Sequence, residues 1–258
     1  MSREPRLGIS ACLAGREVRH DGRHKRSDFL TGALAPHVEL VPVCPEVEIG
    51  LPVPRDTLQL VGGRDRPRLI EGATGRDHTA SMERWASARI GGLADLDGFA
   101  LKKGSPSCGV ERVPVFAPDD MQTGADGSGL FAAAVRRALP ALPLTQETWL
   151  DQPELRERFL VQLFTHHRLR TGLAVGGLPA LHAAHRLLYL ARDPDAEAEL
   201  ARIAADPDCA GEYMLAAMAA LALDRSPDRE ARALAAEPAG SPARLLHAEP
   251  YPRAIGPR

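Results

Sequence analysis

The 258-residue chain has no apolar run of the roughly 18 positions that a membrane-spanning helix needs. Aromatic residues are scarce, at 4%, which argues against a surface of stacking rings that reads single-stranded nucleic acid base by base. Neither sign of charge dominates: 32 Lys and Arg stand against 34 Asp and Glu, a formal net charge of -2. Whole-chain charge therefore does not mark a polyanion binder, although it is compatible with a local basic patch. The N-terminal Met1-Ser2-Arg3-Glu4-Pro5-Arg6 lacks the apolar stretch of a signal peptide, so the expectation is a cytoplasmic protein with no membrane partner. There is no internal repeat and no Cys-x-x-Cys pair among the four cysteines. In a reducing compartment those cysteines are metal ligands, catalysts or buried hydrophobes before they are disulfides.

What is present falls into two halves. Leu7-Gly8-Ile9, residues 38–43, Thr57 to Val61 and Gly98 to Lys102 read as strands, the third of them near a sheet edge. Between them, Thr74 to about Leu93 has helical period through Met82, Trp85 and Ile90, and Leu130 to Leu139 reads as a further helix. Strands separated by helices favour a parallel sheet, and residues 1–145 are expected to form a Rossmann-like α/β domain. From Pro153 the helical period takes over, with Leu155, Phe159, Leu163 and Phe164 on one face and Leu181, Leu187, Leu188 and Leu190 on the next. Gly172 to Gly177 separates the two, Ala-rich stretches at 196–205 and 212–222 add two helices, and the tail after Glu237 reads as irregular. Residues 150–258 are expected to be a small all-helical domain.

Three cysteines share a setting. Cys12 follows the first strand, Cys44 the second and Cys108 the strand ending at Lys102, each on a loop of small residues and prolines. Loops at the carboxyl ends of parallel strands converge, and ligands of open α/β sheets bind there. Thiolates are soft ligands suited to iron–sulfur clusters or zinc, and three protein ligands leave a metal position open, as catalytic sites do. The spacing alone leaves the alternative of buried small hydrophobes open. Cys209 lies in the helical half and is expected to be structural.

Five segments in order carry a resemblance: Ser10-Ala11-Cys12-Leu13-Ala14-Gly15, Val18 to Lys25, Val41-Pro42-Val43-Cys44-Pro45-Glu46, Gly50-Leu51-Pro52-Val53-Pro54-Arg55 and Ser105-Pro106-Ser107-Cys108-Gly109. Residues 7 to about 140 resemble the thiouracil desulfidase (TudS-type) family. The helical half, through Arg158 to Arg170 and Leu181 to Arg186, resembles the domain fused to it in RudS-type proteins, which implies removal of sulfur from 4-thiouridine in tRNA. The resemblance implies a [4Fe-4S] cluster on Cys12, Cys44 and Cys108 with one iron not liganded by protein. It also implies Glu46 and Ser105 as the catalytic pair of a hydrolytic, non-redox desulfidase acting on a thiolated pyrimidine.

The residues allow that chemistry. A thiocarbonyl sulfur is soft and suits thiolate-ligated iron; Glu46 lies two residues after a ligand and suits a general base. Ser105 or Ser107 suits hydrogen bonding to the ring or the reacting carbon. Glu46 as a loop acid and Ser105 as a turn residue remain the plainer readings. Lys102, Arg19, Asp21 and Lys25 are further candidates for holding substrate, the last three on a basic loop that reads equally as solvated. In the helical half Arg156, Arg168, Arg170 and Arg186 offer a face for tRNA phosphates, against an ordinary charged helix surface. His182 and His185 have no carboxylate at ligand spacing in the sequence, which disfavours a metal there. Three alternatives stay open: the same desulfuration of free thiouracil or thionucleotides, a non-enzymatic iron–sulfur sensor or RNA-binding module, and a zinc protein.

Overall fold

The computed structural model describes residues 4–63, 65–117 and 122–255; Met1 to Arg3, the start of the charged segment read above, lie outside them. The chain divides into two compact units. One holds Arg6–Pro140 with Leu144–Gln152, and the other is built from Pro153 onward and includes Ala141–Pro143.

In the first unit the strands are β1 (Arg6–Ser10), β2 (Glu39–Val43), β3 (Leu58–Val61), β4 (Arg68–Glu71), β5 (Gly98–Leu101), β6 (Val113–Phe116), β7 (Gln122–Gly127) and β8 (Leu144–Gln146). Its helices are α1 (Pro45–Glu48), α2 (Thr79–Ile90) and α3 (Leu130–Ala138). The expected parallel sheet is there, in the order β2-β1-β5-β8 with every pairing parallel. β5 is buried at all four positions, the pattern of a strand covered on both faces. A Cβ on Gly8 would lie 2.8 Å from the side chains of Leu96 and Phe99, so the glycine lets Phe99 cross β1. Phe131 of α3 packs on Phe99 and on Trp85 of α2 at ring separations of 5.7 and 5.1 Å, which seats both helices on the sheet. Pro42 falls in β2, an edge strand, where a missing N–H costs no ladder bond on the open side.

A second four-stranded sheet, β4-β3-β6-β7, is mixed. It corrects one expectation: β3, read as an edge strand, is interior, paired antiparallel with β4 and parallel with β6. Its neighbours escape a sequence reading because β6 carries Pro114, and the ladder between β6 and β7 is irregular at that point, between Val113 and Val115. α2 starts later than the sequence suggested. The chain turns at Gly72 to Thr74 and Asp77 bridges back to Ile70, and Asp77 Oδ1 accepts the Thr79 N–H at 2.9 Å before the first helical turn.

The second unit comprises α4 (Pro153–Leu190), α5 (Pro194–Ala204), α6 (Ala210–Ala222), α7 (Pro227–Ala236) and α8 (Pro242–Ala248) among the described residues. The break in α4 is local to Gly177, whose φ of 72° and ψ of 167° only glycine adopts readily, two residues before Pro179. Gly172 is helical rather than part of the break, and a Cβ there would lie 2.7 Å from Leu181. The core gathers Leu169, Leu178, Leu188 and Tyr189 of α4 with Leu200 and Ile203 of α5 and Tyr213, Ala217 and Leu221 of α6. Cys209 packs on its margin. The tail after Glu237 is not irregular throughout, since α8 lies in it. No helix among the described residues is long and apolar enough to cross a membrane.

Candidate active site

β2, β1 and β5 are adjacent, and their carboxyl ends carry the three cysteines. Ala11 N–H bonds to Val43 O at 2.9 Å, carrying the pairing one step past the strands. The chain then turns, with Leu13 N–H on Ser10 O at 2.8 Å and Gly15 at a φ of 91°. Lys25 N–H returns to Cys12 O at 2.9 Å and closes the basic loop over that turn. Cys44 caps α1, with Pro45 at the first helical position and the Cys44 N–H accepted by Glu48 Oε1 at 3.2 Å. The third loop is the tightest. Ser105 Oγ accepts the N–H groups of Ser107 and Cys108 at 3.2 and 3.0 Å. The carbonyls of Pro106 and Ser107 accept the first N–H groups of α3. Gly109 and Gly129 allow this: a Cβ on either would lie 2.6 Å or less from a neighbouring side chain or backbone.

Cys12, Cys44 and Cys108 line one cavity of about 330 Å³, together with Arg19, His20, Glu46, Arg55, Lys102, Lys103 and Ser105. All three thiols are free. Burial pushes the Cys12 thiol up to about 11, reinforced by the neighbouring Cys44. Burial likewise raises Cys44 and raises Cys108 well above its ordinary value, with Glu46 adding to the latter and a hydrogen bond from Ser10 opposing it. Without a cation these thiols hold their protons, and a metal group would have to displace them. Among the described residues no three His, Cys, Asp or Glu side chains are grouped as ligands of a single metal ion; the thiols instead share the wall of a larger space.

Glu46 is held from two sides. Arg55 donates to its Oε2 from Nε at 3.0 Å and from Nη2 at 2.5 Å, while Ser107 Oγ at 3.0 Å and Ser105 Oγ at 3.5 Å donate to its Oε1. Ser105 is thus the only one of the two serines on the cavity wall; Ser107, fully buried, sits behind Glu46. Lys102 also reaches the cavity, but its ammonium is ion-paired with Glu147, which follows β8 and also accepts the Lys103 N–H at 2.7 Å. Of the basic-loop candidates, Arg19 lines the cavity while Asp21 and Lys25 do not. Asp21 accepts from Arg19 at 3.2 Å and from Arg23 N–H at 3.1 Å, and the Arg19 guanidinium lowers its carboxyl to about 2. It shapes the loop that presents Arg19. Arg55 and Glu147 were not singled out from the sequence. Arg55 ends the motif with Pro52 and Pro54, and its place in that motif was the only sign of it in the sequence.

Of Arg156, Arg168, Arg170 and Arg186, expected to offer a basic face, Arg168 is the one the fold turns away from it. Arg168 is turned inward, donating to His185 Nε2 at 3.1 Å, Thr165 Oγ1 at 3.1 Å and Pro250 O at 2.8 Å, and burial lowers it to about 10. Arg186 is held by Glu197 at 3.1 Å and Glu237 at 3.2 Å, and Arg156 and Arg170 are engaged as well. His182, whose sequence neighbours supply no carboxylate, has one from α5: Glu197 Oε1 lies 3.3 Å from its Nε2.

Residues 7–147 match the family model described as 2-thiouracil desulfurase. An uncharacterized protein of Bacillus subtilis, YbbK, is 30% identical over 139 residues, which is 50% of this chain and 89% of that protein. A solved structure of a [4Fe-4S]-dependent thiouracil desulfidase, TudS, is 30% identical, covering 60% of this chain and 97% of that one with a TM-score of 0.48.

Proposed function

Because this chain belongs to the 2-thiouracil desulfurase family, we propose that its first unit is a [4Fe-4S]-dependent desulfidase that replaces C=S by C=O in a thiolated pyrimidine. The observation that carries the reading is that the ends of three adjacent parallel strands bring Cys12, Cys44 and Cys108 to the wall of the cavity that also receives Glu46 and Ser105. The donor set fits a cluster. Three soft thiols share a space larger than a single ion fills. The cluster type comes from the resemblance of the ordered motifs. Bound on three cysteines, such a cluster supplies a Lewis-acidic iron without a fourth protein ligand, a soft partner for the thiocarbonyl sulfur.

The chain's own groups do the rest. Glu46 takes a proton from water through Oε1, the oxygen not engaged by Arg55. Ser105 places its hydroxyl on the cavity wall within reach of Glu46, where it steadies the carboxylate and the polar edge of the substrate. Arg19 and Lys103 stand at the same wall and favour anionic forms of the substrate. Water supplies the oxygen and sulfide leaves, so the reaction is hydrolytic and needs no net electron transfer.

The substrate we favour is a free thiopyrimidine or thionucleotide. Resemblance of the second half to RudS-type proteins supports 4-thiouridine in tRNA, but Arg168, one of the four arginines offered for phosphate contacts, is turned inward within the helical unit. The test is sulfide release by anaerobically reconstituted protein from 2-thiouracil, 4-thiouracil, a 4-thiouridine nucleotide and thiolated tRNA. Turnover of the small substrates supports the reading; turnover of tRNA alone overturns the substrate, and turnover of none overturns the activity in favour of a sensor.

A further inference from the structure

We propose that Arg55 is a positioning residue that fixes the plane of the Glu46 carboxylate and so the direction in which its free oxygen faces the reaction, an inference that rests on the reading of Glu46 as the base. Its side chain is 3% exposed, and its guanidinium bonds go to Glu46, Val18 and Pro52. Nε and Nη2 converge on Oε2 of Glu46; Nη2 also donates to Val18 O at 2.9 Å, and Nη1 donates to Pro52 O at 3.2 Å. The Arg55 N–H bonds to His20 O at 2.9 Å. The fork is therefore anchored by the loop that follows Cys12 and by the turn before Arg55, independently of the carboxylate it holds.

That anchoring matters because a glutamate carboxylate rotates broadly about its last torsion. With one oxygen, Oε2, committed to two N–H groups, the carboxylate plane cannot swing and the other oxygen is held in one direction. Oε1 stays with Ser107 Oγ at 3.0 Å and Ser105 Oγ at 3.5 Å. Arginine is suited to this: its planar donors are fixed relative to one another, whereas a lysine ammonium is a point charge that cannot reach Oε2, Val18 O and Pro52 O in the same geometry. Conserving the charge while removing the fork separates position from electrostatics.

The experiment compares wild type, Arg55→Lys, Glu46→Gln and the double variant as full-length, anaerobically reconstituted proteins. Arg55→Lys is expected to keep wild-type iron and sulfide content and visible absorption. Its kcat for sulfide release should fall by about 10- to 100-fold, with KM within about twofold of wild type. The double variant should be no slower than Glu46→Gln alone, because both changes act on one group. Unchanged kcat, losses that multiply in the double variant, a rise confined to KM, or loss of iron would each overturn the proposal. A crystal structure of Arg55→Lys tests it without turnover: the Glu46 Oε1 contact with Ser107 should be lost, and a carboxylate left in its wild-type position contradicts the proposal. If wild type itself releases no sulfide, the proposed activity fails, and the crystal structure still decides the role of Arg55.

Discussion

Both units of this protein bury ionisable side chains, and they treat them in opposite ways. At the strand ends of the α/β unit, three thiols line an open cavity with their protons held on by burial, while Glu46 and Ser105 stand beside them. In the helical unit, a network of buried histidines, tyrosines and Arg168 satisfies itself. His185 accepts from Arg168 through Nε2, and its Nδ1 lies 2.8 Å from Leu181 O, the arrangement of a neutral ring with its proton on Nδ1. His182 bridges Tyr213 OH at 3.2 Å and Glu197 at 3.3 Å, and Tyr213 donates on to Tyr189 at 3.3 Å. A cluster of titratable residues is thus not by itself a site. The distinguishing property is polar capacity left over and directed into a space that a ligand can enter.

The sharpest break of this contrast is removal of the thiols. Cys12→Ala, Cys44→Ala and Cys108→Ala should each lose the cluster and lower turnover by on the order of 1,000-fold or more. Cys209→Ala, on the margin of the helical core, should change neither iron content nor rate. Next in size is Glu46→Ala, which should keep its iron and lose roughly 100- to 10,000-fold in kcat; a variant with normal turnover would remove Glu46 as the base. Ser105→Ala should cost less, about 10- to 100-fold in rate. It should also cost roughly 1–3 kcal/mol in stability, because its hydroxyl accepts two backbone N–H groups that would lose their partner.

The helical network should answer to stability and not to rate. Burial, helped by the Arg168 charge, lowers His185 from 6.5 to about 4. Its folded value lies below its unfolded one, so the stability it contributes is present above pH 6.5 and is lost as pH falls toward 4. The loss is on the order of 3 kcal/mol. Urea titrations across that window should show the slope in wild type and a shallower one in His185→Gln, with sulfide release at neutral pH unchanged between them. Smallest of all should be Tyr213→Phe, about 1 kcal/mol in stability, read as a shift in urea midpoint.

Much of the α/β unit was legible because β1, β2 and β5 are short, largely apolar runs, and the segment after each carries a cysteine. The second sheet was not. β7 reads Gln-Thr-Gly-Ala-Asp-Gly and β6 holds a proline, so neither shows the alternation by which strands are recognised. α7 and α8 were missed although Ser226-Pro227 and Ser241-Pro242 announce them. In both, the serine hydroxyl accepts an N–H of the first turn and proline occupies the first helical position. In the site, the positions of Glu46 and Ser105 just past strand ends could be read along the chain, although Glu46 falls in the short helix α1 rather than on a loop. The clamps on Glu46 and Lys102 could not, because Arg55 reaches back across a turn and Glu147 comes from a neighbouring strand end. Nor could the inward turn of Arg168, since its partners His185 and Pro250 lie far along the chain and only the fold brings them to it.

The central claim is that Cys12, Cys44 and Cys108 hold a cluster at which sulfur is removed. The most direct measurement is iron and sulfide content of anaerobically reconstituted protein, taken together with sulfide release from 4-thiouracil. The account predicts about four irons and four sulfides per chain, with turnover that disappears when any one of the three cysteines is replaced. Zinc in place of iron, or a full cluster that releases no sulfide, would contradict it.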